Sequence, residues 1–95
     1  MGVKFEWDQG KAASNLAKHG VPFEEAVGVF ADPLARVFND ESHSMQEQRE
    51  IIIGHSDRGR LLLVSFTARD EAVRVLSARK ATKMERKDYE ENARS

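Results

Sequence analysis

IIIGHSDRGRLLLVSFTARDEAVRVLS, residues 51–77, is the stretch that decides the fold. Ile51-Ile52-Ile53 opens a buried strand, and Asp57-Arg58-Gly59 has the composition of a hairpin turn. Leu61 to Thr67 returns, Arg69-Asp70-Glu71 turns again, and Val73-Arg74-Val75-Leu76 makes the last run, with Val73 and Val75 on one face and Arg74 on the other. Runs of this length joined by short turns predict an antiparallel meander with strands at Glu50–His55, Leu61–Thr67 and Ala72–Ser77. Upstream, Leu34 to Asn39 is rich in Val and Phe and reads as a fourth strand. The polar stretch Asp40 to Glu47 between them reads as a loop.

Helices flank this block. Asp8 is a helix N-cap for Lys11 to Lys18, where Ala12 and Leu16, and Ala13 and Ala17, recur at i,i+4. Gly20 supplies the left-handed residue that ends it. A short second helix over Phe23–Phe30 presents Phe23, Ala26, Val27 and Phe30, and stops at Asp32-Pro33. Thr82-Lys83-Met84-Glu85 is a capping box, so a last helix runs from Lys83 to about Asn92. Before the first helix, Val3 to Trp7 alternates apolar and charged residues, the period of a possible extra N-terminal strand. The expected class is therefore α+β: a central antiparallel sheet of four main strands, two N-terminal helices and one C-terminal helix. Phe5 and Trp7 are expected in its core.

No repeat or linker interrupts residues 1–95, which read as a single domain. A chain of 95 residues buries only about 60–70% of its unfolded surface, which leaves little room for an enclosed cofactor. With no cysteine there is no disulfide framework and no thiolate nucleophile. No signal peptide or membrane span is read, and a cytoplasmic location is expected. The net charge is −1, but it is unevenly spread. Residues 1–56 hold five Lys/Arg against nine Asp/Glu, whereas residues 57–88 hold nine against five. A basic half can build a local positive field, although a solvated, salt-bridged surface explains the charges equally simply.

His19, His43 and His55 fall on a helix end, a loop and a strand, without metal-ligand spacing, so neither a metal nor another cofactor is expected. His19 is explained by the helix dipole and His55 as a surface residue beside a turn, while His43 lies near Glu41 and Glu47 as a candidate acid or base. There is no glycine-rich phosphate loop. Phe5, Trp7, Phe23, Phe30, Phe38 and Phe66 occupy core-like positions, which favours packing over base stacking. Arg49, Arg69, Arg74 and Arg79 lie in or at the ends of the strands. Arg79-Lys80 falls between the last strand and a helix N-terminus, a suitable place for an anion. Intramolecular bridges to Glu47, Glu50 and Asp70 are the plain alternative.

Taken in order, several stretches resemble the BrnT family of bacterial toxins. They are Phe5-Glu6-Trp7-Asp8, Lys11, Asn15, Lys18-His19-Gly20-Val21, Phe23 and Glu24-Glu25-Ala26 in the first part. Glu47-x-Arg49, Ile53-Gly54, Gly59-Arg60-Leu61-Leu62, Val73 through Ala81, Glu85-Arg86 and Tyr89 follow. The likeness runs from Phe5 to about Glu90, with Leu76 where isoleucine is expected. The resemblance implies a RelE-like ribonuclease fold and RNA cleavage that inhibits growth. It also implies neutralisation, as a hetero-oligomer, by a small DNA-binding antitoxin of ribbon-helix-helix type. Promoter DNA would be bound only through that antitoxin, since a chain so balanced in charge releases few counterions by itself.

RNA carries its own nucleophile, the 2′-OH, so cleavage needs a base, an acid and cations around the phosphate. On that expectation Arg49, Arg74 and Arg79 are the phosphate-site candidates, with Lys80 in support. His43, Glu47 and His19 are the acid–base candidates, and Lys18, Arg69 and Tyr89 are further substrate contacts. A non-catalytic module that only holds an antitoxin or a nucleic acid is the competing expectation, and the lack of a clear histidine–carboxylate pair speaks for it.

Overall fold

The computed structural model describes residues 3–40 and 48–93. Its elements in chain order are β1 (Lys4–Glu6), α1 (Gln9–His19), α2 (Phe23–Val27), a 3₁₀ turn (Gly28–Ala31), β2 (Arg36–Asn39), β3 (Glu50–His55), β4 (Leu61–Arg69), β5 (Ala72–Lys80) and α3 (Lys83–Ala93). The strands form one sheet in the order β1-β5-β4-β3-β2. The meander β2-β3-β4-β5 is antiparallel as expected.

Three expectations need correction. The sheet has five strands and is mixed, because β1 pairs parallel to β5 at Lys4–Ala72, Phe5–Val73 and Glu6–Arg74. Alternation alone marks such a strand but carries no direction. The second helix is shorter than Phe23–Phe30: it gives way to a 3₁₀ turn at Gly28, a residue of poor helix propensity just before Asp32-Pro33. Finally, β5 runs on to Lys80, so Arg79 and Lys80 sit in a strand and not in a strand–helix junction. Leu62 and Leu63 hold them there by pairing.

The sheet has two distinct faces. Against one face, α1, α2 and the 3₁₀ turn bury Val21, Phe23, Ala26 and Val29 on Ile52, Leu62, Val64, Phe66, Val75 and Ala78. Trp7 meets Phe23 edge-on and packs against this core as expected, whereas Phe5 is half-buried and reaches only its margin, with its ring tilted against Phe30. Gly54 belongs to the same face because β3 passes close to the segment beneath it; a Cβ there would lie 2.9 Å from that of Ala35. The opposite face is covered only partly: Tyr89 of α3 packs on Ile53, Leu61 and Leu63. Among the described residues, no helix covers the remainder of this second face.

A bulge sets which residues reach the open face. Ser65 pairs with Ser77 but Phe66 pairs with Val75, so Leu76 is an extra residue in β5. Val75 and Ala78 are three residues apart yet both lie in the first core, which a regular two-residue repeat forbids. By the same shift, Arg74 and Arg79, five apart, fall together on the open face.

The outer edge of β5 beyond β1 is closed by a side chain. Asn15 of α1, itself buried, donates to the Ala78 carbonyl at 2.8 Å and accepts from the Ala78 N–H at 3.0 Å. Its amide also donates to the Val21 carbonyl at 3.0 Å. One amide thus replaces a length of missing strand. A second anchor is Glu25, which accepts hydrogen bonds from Ser56 and Arg60 and ties α2 to the β3–β4 turn. The Arg60 bonds outweigh burial and hold the Glu25 carboxyl below its ordinary range.

Candidate active site

Cross-strand partners share a face, so the register lays out the open surface in rows. One row reads Arg36, Ile53, Leu63, Arg79, and the next Phe38, Ile51, Ser65, Ser77. A third joins Thr67, Arg74 and Glu6, and a fourth Arg69, Ala72 and Lys4. Because Asn15 draws the end of α1 against the β5 edge, His19 reaches round that edge to this surface. His19, Ile51, Leu63, Ser65, Ser77, Ala78 and Arg79 line a cleft of about 320 Å³. Lys18 lies beside it in a shallower depression with His19 and Ser77.

Arg79 is held firmly. Both its terminal nitrogens donate to Glu85, at 2.9 and 2.8 Å, in the forked geometry suited to a carboxylate or a phosphate. Glu85 is fixed in turn by the expected capping box: it accepts from the Thr82 N–H at 2.8 Å, and Thr82 Oγ1 accepts from the Glu85 N–H at 3.1 Å. The Arg79 fork, against burial and with help from the Thr82 N–H, holds the Glu85 carboxyl at about 2. Since this folded value lies below the ordinary 4.5, the pair stabilises the protein above about pH 4.5 and is lost as pH falls toward 2. Glu85→Gln is expected to cost about 1–2 kcal/mol near neutral pH, allowing for solvent screening. It should also flatten the acid limb of a pH–stability curve from urea melts; an unchanged acid limb would deny the pair this role.

The other sequence candidates divide. Arg74 is on the open face but two rows away, bridged to Glu6 at 3.3 Å. Arg69 borders the same region. Arg49 immediately precedes β3, two residues before Ile51, while its carbonyl accepts from the Asp40 N–H. Lys80 pairs with Leu62 of the helix-covered core and so belongs to the opposite face from Arg79. It does not stand beside the Arg79 fork as expected. His43 and Glu47 lie outside the described residues. Tyr89 is 4% exposed and donates its hydroxyl to Asp32 at 2.8 Å, so it packs and anchors α3. Burial, with the Asp32 bond, pushes its hydroxyl up to about 12.

Some relevant residues were not singled out from sequence. Ser65 and Ser77 have no motif, and only strand register brings them to the cleft. His55, read as a surface residue, has its ring against Tyr89 and its N–H on Asp32 at 2.7 Å. Burial works against ionisation of Asp32, but the His55 and Leu34 N–H groups and Tyr89 more than offset it and keep its carboxyl low. Phe38, expected in the core, is 49% exposed, because β2 is an edge strand with nothing described above that position. Among the described residues, no three His, Asp or Glu side chains gather as metal ligands, and no helix is long and apolar enough to cross a membrane.

Comparison with known proteins adds the family. Residues 7–85 match the family model described as BrnT, ribonuclease toxin of type II toxin–antitoxin systems. The structure is similar to the crystal structure of the Brucella abortus ribonuclease toxin BrnT, with a TM-score of 0.66 and 27% identity over 85% of this chain and 99% of that one. A search of curated proteins found no match.

Proposed function

The chain belongs to the BrnT family of ribonuclease toxins of type II toxin–antitoxin systems, and from that premise we propose that it is a single-domain, metal-independent endoribonuclease acting at the His19–Arg79 cleft. The observation that carries this reading is the meeting of an imidazole, a forked guanidinium and two hydroxyls on one open sheet face. Among the described residues His19 has no hydrogen-bond or ion-pair partner, which leaves its ring nitrogens for substrate.

In this mechanism the RNA 2′-oxygen attacks the adjacent phosphorus and gives its proton to His19. The bond from phosphorus to O5′ breaks, leaving a 2′,3′-cyclic phosphate and a 5′-hydroxyl. Arg79 shares charge with the equatorial oxygens, where a preorganised donor is most effective. Ser65 and Ser77 offer hydrogen bonds at the same phosphate. His43 and Glu47 remain the candidates for the proton that O5′ takes up. The cellular setting of this reading is the cytoplasm, with a RelE-like architecture and a DNA-binding antitoxin, of ribbon-helix-helix type, covering the open face.

One observation favours the competing reading of a non-catalytic binding module: the Arg79 fork is already filled by Glu85. The test is purified protein on total RNA with excess EDTA, alongside the same RNA carrying 2′-O-methyl groups. Cleavage is expected to survive the chelator, to leave cyclic phosphate ends and to fail on the methylated RNA. Loss of cleavage with EDTA would remove the metal-free mechanism. Protein that binds an antitoxin but cuts no RNA would establish the module instead.

A further inference from the structure

Beside the cleavage cleft, and continuous with it through Ile51, Leu63 and Arg79, lies a second cleft of about 410 Å³. Its outer wall is β2, with Phe38 half-exposed and Arg36 two residues away on the same strand face. Arg36 is exposed, and among the described residues it has no hydrogen-bond or ion-pair partner. Across the row it faces Arg79 over the apolar side chains of Ile53 and Leu63. Asp88 and Asn92 of α3 line the far wall.

The geometry points to Phe38 as a stacking platform for a nucleobase of single-stranded RNA, with Arg36 holding the neighbouring phosphate. This rests on the ribonuclease reading and supplies what that cleft alone lacks, a means to seat the nucleotide next to the cleaved bond. Three features favour a base over a protein segment. The Arg36 guanidinium, unpaired among the described residues, stands two residues from the ring on the same strand face, as a neighbouring phosphate would require. The far wall is polar, and the Asp88 carboxylate offers an acceptor that a base edge can use. The Glu85 carboxylate, which would repel a phosphate, is already neutralised by Arg79.

The test measures binding of a labelled oligoribonucleotide made uncleavable with 2′-O-methyl groups, and of the same strand without bases. Phe38→Ala and Phe38→Leu are expected to weaken binding to the first about tenfold, the scale of one lost base stack, while Phe38→Tyr stays within about twofold of wild type. On the abasic strand all four proteins should bind alike. Equal binding by Phe38→Leu and wild type, or equal loss on both strands, would overturn the inference, as would a wild-type protein that ignores the uncleavable strand. Weakened antitoxin binding with unchanged RNA binding would also overturn it and assign the ring to a protein partner. A wild type that cuts no RNA defeats the ribonuclease reading, whereas normal cutting by Phe38→Ala defeats this inference alone. Melting curves establish that each variant is folded, which the exposed edge position of Phe38 favours.

Discussion

Arg79→Ala is expected to lower RNA cleavage by about 10²–10³-fold while the protein still melts cooperatively. The size follows from losing one preorganised donor at a phosphate that gains negative charge in the transition state. The structure sharpens the controls, because Arg79 also bonds Glu85 in a half-exposed pair. If that pair were all Arg79 did, Arg79→Ala and Glu85→Gln would behave alike, with a modest loss of stability and intact cleavage. If Arg79 acts on the substrate, the two part company. Glu85→Gln frees the fork and retains cleavage, whereas Arg79→Ala loses it. Arg79→Lys keeps the charge without the fork and should fall between them. Wild-type rates in a folded Arg79→Ala protein would take Arg79 out of the site.

The second large effect concerns stability. Asn15→Leu is expected to cost about 3–5 kcal/mol, because it strands three backbone groups at Val21 and Ala78 that the amide now satisfies. For a domain of this size that lowers the melting temperature by more than about 10 °C. Asn15→Asp should do little better, since it keeps the acceptor for the Ala78 N–H but sets a carboxylate against two carbonyls. Ser14→Ala, one position away on the exposed side of α1, is expected to stay within about 0.5 kcal/mol of wild type. Thermal melts of the three proteins decide the matter. An Asn15→Leu protein as stable as Ser14→Ala would mean that the amide closes nothing of consequence.

Much of this molecule was legible residue by residue. The meander could be read from apolar runs and turn residues, and α3 from its capping box, because these signals are local. The direction of β1 was not legible, since pairing partners far apart in sequence leave no trace in alternation. The length of β5 was missed because Ala78, Arg79 and Lys80 look like the start of a loop until Val64, Leu63 and Leu62 are seen opposite them. The candidate site suffered most from the bulge at Leu76. A strict two-residue period sets Arg74 and Arg79 on opposite faces, and no residue type near Leu76 announces the extra position. Phe38 was misplaced for another reason: its apolar character was plain, but whether anything covers an edge strand depends on the whole sheet. Asn15 and His19 were both noticed, yet only the closure of the β5 edge explains why the last five residues of α1 carry a buried amide and a cleft-lining imidazole.

That closure has a kinetic side. Glu6 and Arg74 are 68 residues apart, and Asn15 and Ala78 are 63 apart, whereas the hairpins that build the middle of the sheet are local. Extending a closed loop adds little to its entropy cost, about 0.6 kcal/mol per doubling, but contacts of such long range slow folding. The strand bearing Arg74 and Arg79 therefore acquires its inner neighbour early and its outer cover late. The same order runs backwards on opening: release of the segment from β1 through α1 exposes a bare strand edge without dissolving the central hairpins. Hydrogen exchange at the Ala78 amide, whose acceptor is the Asn15 side chain, is thus a direct clock for how often that segment lifts and carries His19 away from Arg79.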